Sequence, residues 1–145
     1  MQFHSEHEMQ LLRVLGAFQL LEFALKLYIS TAYAVIKQSL DGSVHFGYAY
    51  KDIQRFPLEK LMNVFTKLND NIELQSRINK LRDKRNDIAH GALLYRHDLI
   101  RDLLALDVEA HVVDLSKTEQ EVDECLSLVT RELEPLISKY RINAA

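Results

Sequence analysis

From about residue 4 to about residue 38 the chain has no proline and a single glycine, Gly16. Apolar side chains recur there at Leu11, Leu12, Val14, Leu15, Phe18, Leu21, Phe23, Leu25, Leu27, Tyr28 and Ile29. At about 100° per residue these positions nearly encircle a helix, which predicts one long helix buried on most sides. The polar residues left over, Gln19, Glu22, Lys26, Ser30, Tyr33 and Lys37, recur at spacings of three and four. They form a narrow polar stripe along one face, directed at water or at a groove.

The stretch from Ser39 to Gly47 carries turn residues and no period, and reads as a loop followed by weak structure. Pro57 suits the first position of a second helix with Leu58, Leu61, Met62, Phe65 and Leu68 on one face, ended by the cluster Asn69, Asp70 and Asn71. A third helix runs from Ile72 to about His90 on Leu74, Ile78, Leu81 and Ile88, with Gly91 placed as its left-handed terminator. Residues 92 to 106 predict a fourth helix, and Val108 to Leu115 alternates like an extended segment. The box from Ser116 to Glu119 opens a last helix on Val122, Cys125, Leu126, Val129 and Leu133, which Pro135 should bend. With no repeat or low-complexity tract, residues 1–145 predict a single all-α domain, a bundle of four to five helices with an unusually long first one.

Composition narrows the class. Among 145 residues, 48% are hydrophobic and 27% charged, with four glycines, two prolines and no tryptophan, which suits a helical globular domain and excludes disordered or disulfide-scaffold classes. The lone Cys125 permits neither an internal disulfide nor a cysteine-based zinc site. The acidic start and the charges Arg13, Glu22 and Lys26 in the first apolar run argue against a signal peptide or membrane span, so a soluble cytoplasmic protein is expected.

A net charge of −3 excludes nucleic-acid binding by bulk positive charge, yet it hides a split. Arg77 to Arg101 holds seven Lys/Arg against three Asp, a balance of +4, while Asp102 to Glu134 holds two against ten acids, a balance of −8. The first surface would attract phosphates, and the second would repel them or recruit a basic partner. The plainer alternative is a pair of solvated helix faces.

Inside the basic segment stands Arg82-Asp83-Lys84-Arg85-Asn86-Asp87-Ile88-Ala89-His90-Gly91. Arg85-Asn86 followed by His90 resembles the Arg-x4-6-His motif of the HEPN superfamily, with Leu81, Ile88, Ala89 and Gly91 agreeing at the flanks. The long apolar first helix and the length of the bundle also fit that superfamily, so the resemblance covers most of the chain. It implies a symmetric dimer whose cleft holds both Arg/His pairs, acting on RNA without metal or cofactor. On an ideal helix Arg85 and His90 are about 140° and about 7.5 Å apart, so only a distorted last turn or a second chain can bring such groups together.

The implied chemistry is attack of a ribose 2′-OH on the adjacent phosphorus. An imidazole at His90 would move the proton, the Arg85 guanidinium would stabilise phosphoryl charge, and Asn86 would orient the phosphate or His90. Arg77, Lys80, Arg82 and Lys84 are the candidate RNA-binding residues. Glu22 and Lys26 resemble a Glu-x3-Lys feature of nuclease members and are candidate groove-lining residues; an ordinary i, i+4 ion pair is the alternative. A toxin or phage-defence ribonuclease acting on tRNA or mRNA, with an antitoxin partner, is thus the leading expectation. The rivals are a non-catalytic HEPN-like module binding nucleotide, RNA or a partner, and a helical dimerisation adaptor whose interface is the first helix. The alternative for the motif itself is that Asn86 and His90 merely cap the helix end. His4 and His7 read as a frayed terminus rather than a metal site, His45, His97 and His111 lack ligand spacing, and Cys125 reads as core.

Overall fold

The computed structural model describes residues 2–95 and 108–144, with side chains from 6 to 90 and from 111 to 144. Within them the apolar periodicities become four α-helices: α1 (Gln2–Ser39), α2 (Leu58–Leu68), α3 (Ile72–Tyr95) and α4 (Val108–Ala144). A 3-10 turn at Tyr50–Asp52 is the only other regular element among the described residues, and there is no strand. The all-α bundle with a long first helix is therefore what the chain forms.

Side-chain bonds set the helix directions. Gln10 and Arg13 meet Glu119 near one end of α1, and Gln38 meets the Tyr140 carbonyl near the other, so α1 and α4 run parallel. Along α3 the partners on α4 fall in number as the chain rises: Asn71 before the helix with Glu132, Arg77 with Glu121, Lys84 with Asp114. Thus α3 is antiparallel to both. The core is one continuous cluster in which Val14, Leu21, Leu25 and Ile29 of α1 meet Leu61 and Phe65 of α2, Ile78 of α3, and Val122, Cys125 and Val129 of α4.

Several boundaries differ from the sequence expectations. Pro57 is the N-cap of α2 rather than its first residue; its extended backbone and its carbonyl, which accepts the Leu61 N–H, place it just outside. Helix α3 does not end at Gly91 but continues to Tyr95, because a glycine inside a helix costs only about 1 kcal/mol relative to alanine and good helix formers follow. Val108 to Leu115 is helical, not extended. Leu115 is buried, and the Thr118 hydroxyl donates to the Asp114 carbonyl one turn back, so the expected capping box lies inside α4. The longer α4 covers the start of α1: His7 is 2% exposed and stacks on His111 at 5.0 Å, so it is packed rather than frayed. Pro135 sits inside α4 without ending it. The fourth helix expected over 92–106 falls mostly outside the described residues.

The turn between α2 and α3 is built from amides. Asn69 donates through Nδ2 to the Tyr28 hydroxyl at 3.0 Å, and its Oδ1 accepts the Asn71 N–H at 2.8 Å. Asn71 caps α3 by accepting the Leu74 N–H at 3.1 Å and donates to Glu132 at 2.6 Å. Two asparagines thereby tie all four helices together at one level. Burial keeps the Tyr28 phenol pushed up from its ordinary value, and hence neutral.

On the side away from the core, α1 carries Met9, Leu12, Leu20, Phe23 and Leu27, between 38% and 69% exposed. With Gly16 they recur at three and four residues over ~27 Å of helix. Within one chain α1 is therefore buried on one side and not on most sides.

Tyr28→Phe removes the acceptor for a buried Asn69 N–H and should cost about 1–3 kcal/mol, read as a lower urea midpoint with an unchanged slope.

Candidate functional site

The motif residues lie along α3 at the level where it crosses the middle of α1. Arg85 leans toward the core edge: its Nε lies 3.3 Å from Glu22 Oε1 on α1, with side chains 33% and 14% exposed. Glu22 therefore pairs across helices with Arg85. The expected i, i+4 pair with Lys26 does not form, and half-buried Lys26 has no ion-pair partner among the described residues. The contact is an ion pair and not a hydrogen bond, since Glu22 Oε1 is buried without a hydrogen-bond partner among the described residues. The Arg85 guanidinium makes no hydrogen bond among the described residues, so its N–H donors are available to a ligand.

Asn86 and His90 are exposed, on a different side of α3 from Arg85. That side also carries exposed Asp87 and Asp83, one and two turns before His90 respectively. Because α3 is helical through His90 and Gly91 to Tyr95, no distorted last turn brings His90 to Arg85. Nor does His90 cap a helix end, since the helix runs on beyond it. A single chain does not assemble the two groups.

The four candidate RNA-binding residues divide. Arg77 is gripped by two acids of α4: its Nε and Nη2 donate to Glu121 at 2.7 and 2.9 Å, and Nη2 also reaches Glu124 at 2.7 Å. Those bonds raise the Arg77 pKa and hold the Glu121 carboxyl below its usual range. Lys84 is bound to Asp114 at 2.9 Å, and Arg82 touches its neighbour Asp83 at 3.5 Å. Lys80 is exposed and outside every ion pair among the described residues. It lines a concavity of about 340 Å³ between α3 and α4, beside Arg77, Lys84, Asp114 and Lys117. Two of the five described cations of the basic segment, Arg77 and Lys84, are thus matched by acids of α4 along the α3–α4 seam.

The carboxylates Asp114, Glu121 and Glu124 are the site-shaping residues that sequence reasoning missed as partners. The +4/−8 split was the available signal, but charge counts give no helix direction. Cys125 lies behind this seam, fully buried; burial and then the Glu121 carboxylate push its thiol up to about 12, which leaves it a core residue without nucleophilic character at neutral pH. Among the described residues no group of three or more metal-ligating side chains exists, and no helix is long and apolar enough to cross a membrane. No protein-family model, curated protein or solved structure matches the chain.

The Arg77 cluster gives a pH signature. A carboxyl with a depressed folded-state pKa contributes stability above its unfolded value and loses it as pH falls through the folded one. Arg77→Gln should therefore lower the melting temperature at pH 7, and the gap from the wild type should shrink below about pH 4 as Glu121 protonates, checked by thermal melts across pH.

Proposed function

We propose that the chain is a HEPN-type, metal-independent endoribonuclease of the toxin or phage-defence kind, working as a symmetric homodimer on RNA. The observation that carries this reading is the placement of Arg85. It is ion-paired with Glu22 across helices yet makes no hydrogen bond among the described residues, on a helix that presents His90 to solvent five residues later. Because one chain keeps these groups on different sides of α3, a composite site requires a second copy. The exposed stripe of α1 supports that requirement. A Cβ added at Gly16 would meet nothing within 4 Å, so the middle of the stripe offers room for close approach of a partner helix.

In this mechanism the RNA 2′-OH attacks the adjacent phosphorus and the 5′-oxygen leaves. His90 takes or gives the proton, Arg85 stabilises charge on the phosphoryl oxygens through its Nη edge, and Asn86 positions the phosphate. Lys80 is the basic candidate most available to the RNA backbone, while Arg77, Arg82 and Lys84 hold or border the acidic seam. An antitoxin partner and a cytoplasmic setting belong to the same reading.

The non-catalytic module remains the second reading, favoured by Asp83 and Asp87 beside His90, which oppose a phosphate, and by the neutralised Arg77 and Lys84. Cleavage decides between them.

His90→Ala should abolish cleavage while leaving fold and RNA binding in place. Arg85→Lys should lower the rate about 100- to 1000-fold, because an ammonium cannot supply a planar pair of donors. The wild type should yield 2′,3′-cyclic phosphate and 5′-hydroxyl ends with EDTA present, and an RNA methylated at the 2′-oxygen of the cut site should resist. A His90→Ala protein that cleaves at the wild-type rate would falsify the mechanism.

Phe23→Glu places a charge in the exposed stripe and should convert a dimer to a monomer of 16.8 kDa in light scattering, with cleavage lost alongside. A monomeric wild type that cleaves RNA at full rate would remove the composite site.

A further inference from the structure

The end of the bundle formed by the last turns of α1 and the loop after it carries chemistry that the Arg85–His90 site leaves unused. Three rings meet there. Tyr33 of α1 lies 5.7 Å from Phe46 and 5.6 Å from Tyr48, and Phe46 and Tyr48 are 5.6 Å apart. Tyr33 is buried and Phe46 half-buried against the core, so hydrophobic packing accounts for both. Tyr48 is 62% exposed although two rings stand beside it.

Tyr48 is held rather than loosely displayed. Gly42 takes the left-handed conformation at φ 91° and the Asp41 carboxylate accepts the Ser43 N–H, closing the turn before the rings. After them the Asp52 carboxylate accepts the Ala49 N–H at 2.8 Å, and Ile53 anchors the 3-10 turn in the core. A pre-positioned, solvent-facing aromatic loses little conformational freedom when something flat is laid on it.

The polar stripe of α1 links this cluster to the motif. Tyr33 follows Glu22 by eleven residues, about 20° and ~16 Å on an ideal helix, so both lie on one face. Half-buried Lys26 and Ser30 lie between them, and exposed Lys37 lies one turn beyond Tyr33. Lys26, Lys37 and Lys51 have no ion-pair partner among the described residues, in contrast to the neutralised cations of the α3–α4 seam.

We infer that Tyr48, backed by Phe46 and Tyr33, is a stacking platform for an unpaired nucleobase of an RNA strand whose phosphates follow the lysines of the α1 stripe toward Arg85. The inference rests on the ribonuclease reading for its ligand class. Single-strand binders combine a cationic track with aromatic faces on which any base stacks, and both parts are present here at a separation of a few nucleotides. A second copy of the chain would seek the apolar stripe on another face of α1, rather than a single exposed ring on the loop after it.

The test titrates a short single-stranded oligoribonucleotide, adenine-rich, 2′-O-methylated so that it cannot be cut, and carrying one 2-aminopurine. Wild-type protein should quench the probe. Tyr48→Ala should keep its helical circular dichroism and its oligomeric state yet bind about tenfold more weakly or worse at low and high salt alike, and Tyr48→Phe should bind like the wild type. Lys37→Ala should weaken binding by a factor that shrinks as salt rises. Unchanged affinity of Tyr48→Ala overturns the platform and leaves the ribonuclease reading to the His90 variant. Tyr48-dependent binding without cleavage of unmodified RNA supports the platform and overturns the ribonuclease. A change of oligomeric state in Tyr48→Ala assigns the ring to a protein contact and overturns it, as does a wild type that binds no RNA.

Discussion

Every other element is placed by the need to cover one side of α1. Val14, Leu21, Leu25 and Ile29 are fully buried along it, and a row of that length needs a partner of comparable length. Helix α4, at 37 residues against 38, is the only described element that can supply one. Its parallel course puts Leu115 and His111 over the first half of α1 and Leu133 over the second. The two shorter helices then fill what α4 leaves open, and Asn69 and Asn71 lock them at the level of Tyr28.

Electrostatics follow from that packing. Once α3 lies antiparallel to α4, Arg77 and Lys84 fall opposite Glu121, Glu124 and Asp114, and part of the charge segregation of the chain becomes internal complementarity. The consequence for function is redistribution of available cations. The seam spends Arg77 and Lys84 on structure, whereas Lys80 on α3 and the lysines flanking the α1 stripe keep their charge free of carboxylates among the described residues. Arg85 is an intermediate case, ion-paired with Glu22 but without a hydrogen bond among the described residues. The proposed substrate path therefore runs along α1, away from the segment in which basic residues are densest.

The three sides of α1 divide the labour of the molecule. One is core, the opposite one is an exposed apolar stripe, and the polar stripe between them carries Glu22 at its middle and Tyr33 toward its end. Dimerisation through the second would leave the third at the border of the interface, where groups from two chains can meet. That is the geometry a motif split across the faces of one unbroken helix requires.

Local pattern fixed the helical class, the long first helix, the bodies of α2 and α3, the loop before them, and the buried faces read at Leu61, Ile78, Val122 and Cys125. Those features depend on periodicity and turn chemistry that neighbouring residues impose on each other. The tertiary structure decided the rest. Val112 and Val113 lean toward extended structure on their own, yet they are helical because the start of α1 needs cover, and Gly91 does not stop α3 although it is a residue that often ends helices. Glu22 has a lysine four residues away in sequence but pairs with Arg85, since an inter-helix partner at the core edge is held in place by packing while Lys26 is not. Sequence spacing tells which residues share a face; which face meets which is set by the direction and register of helices far apart in the chain.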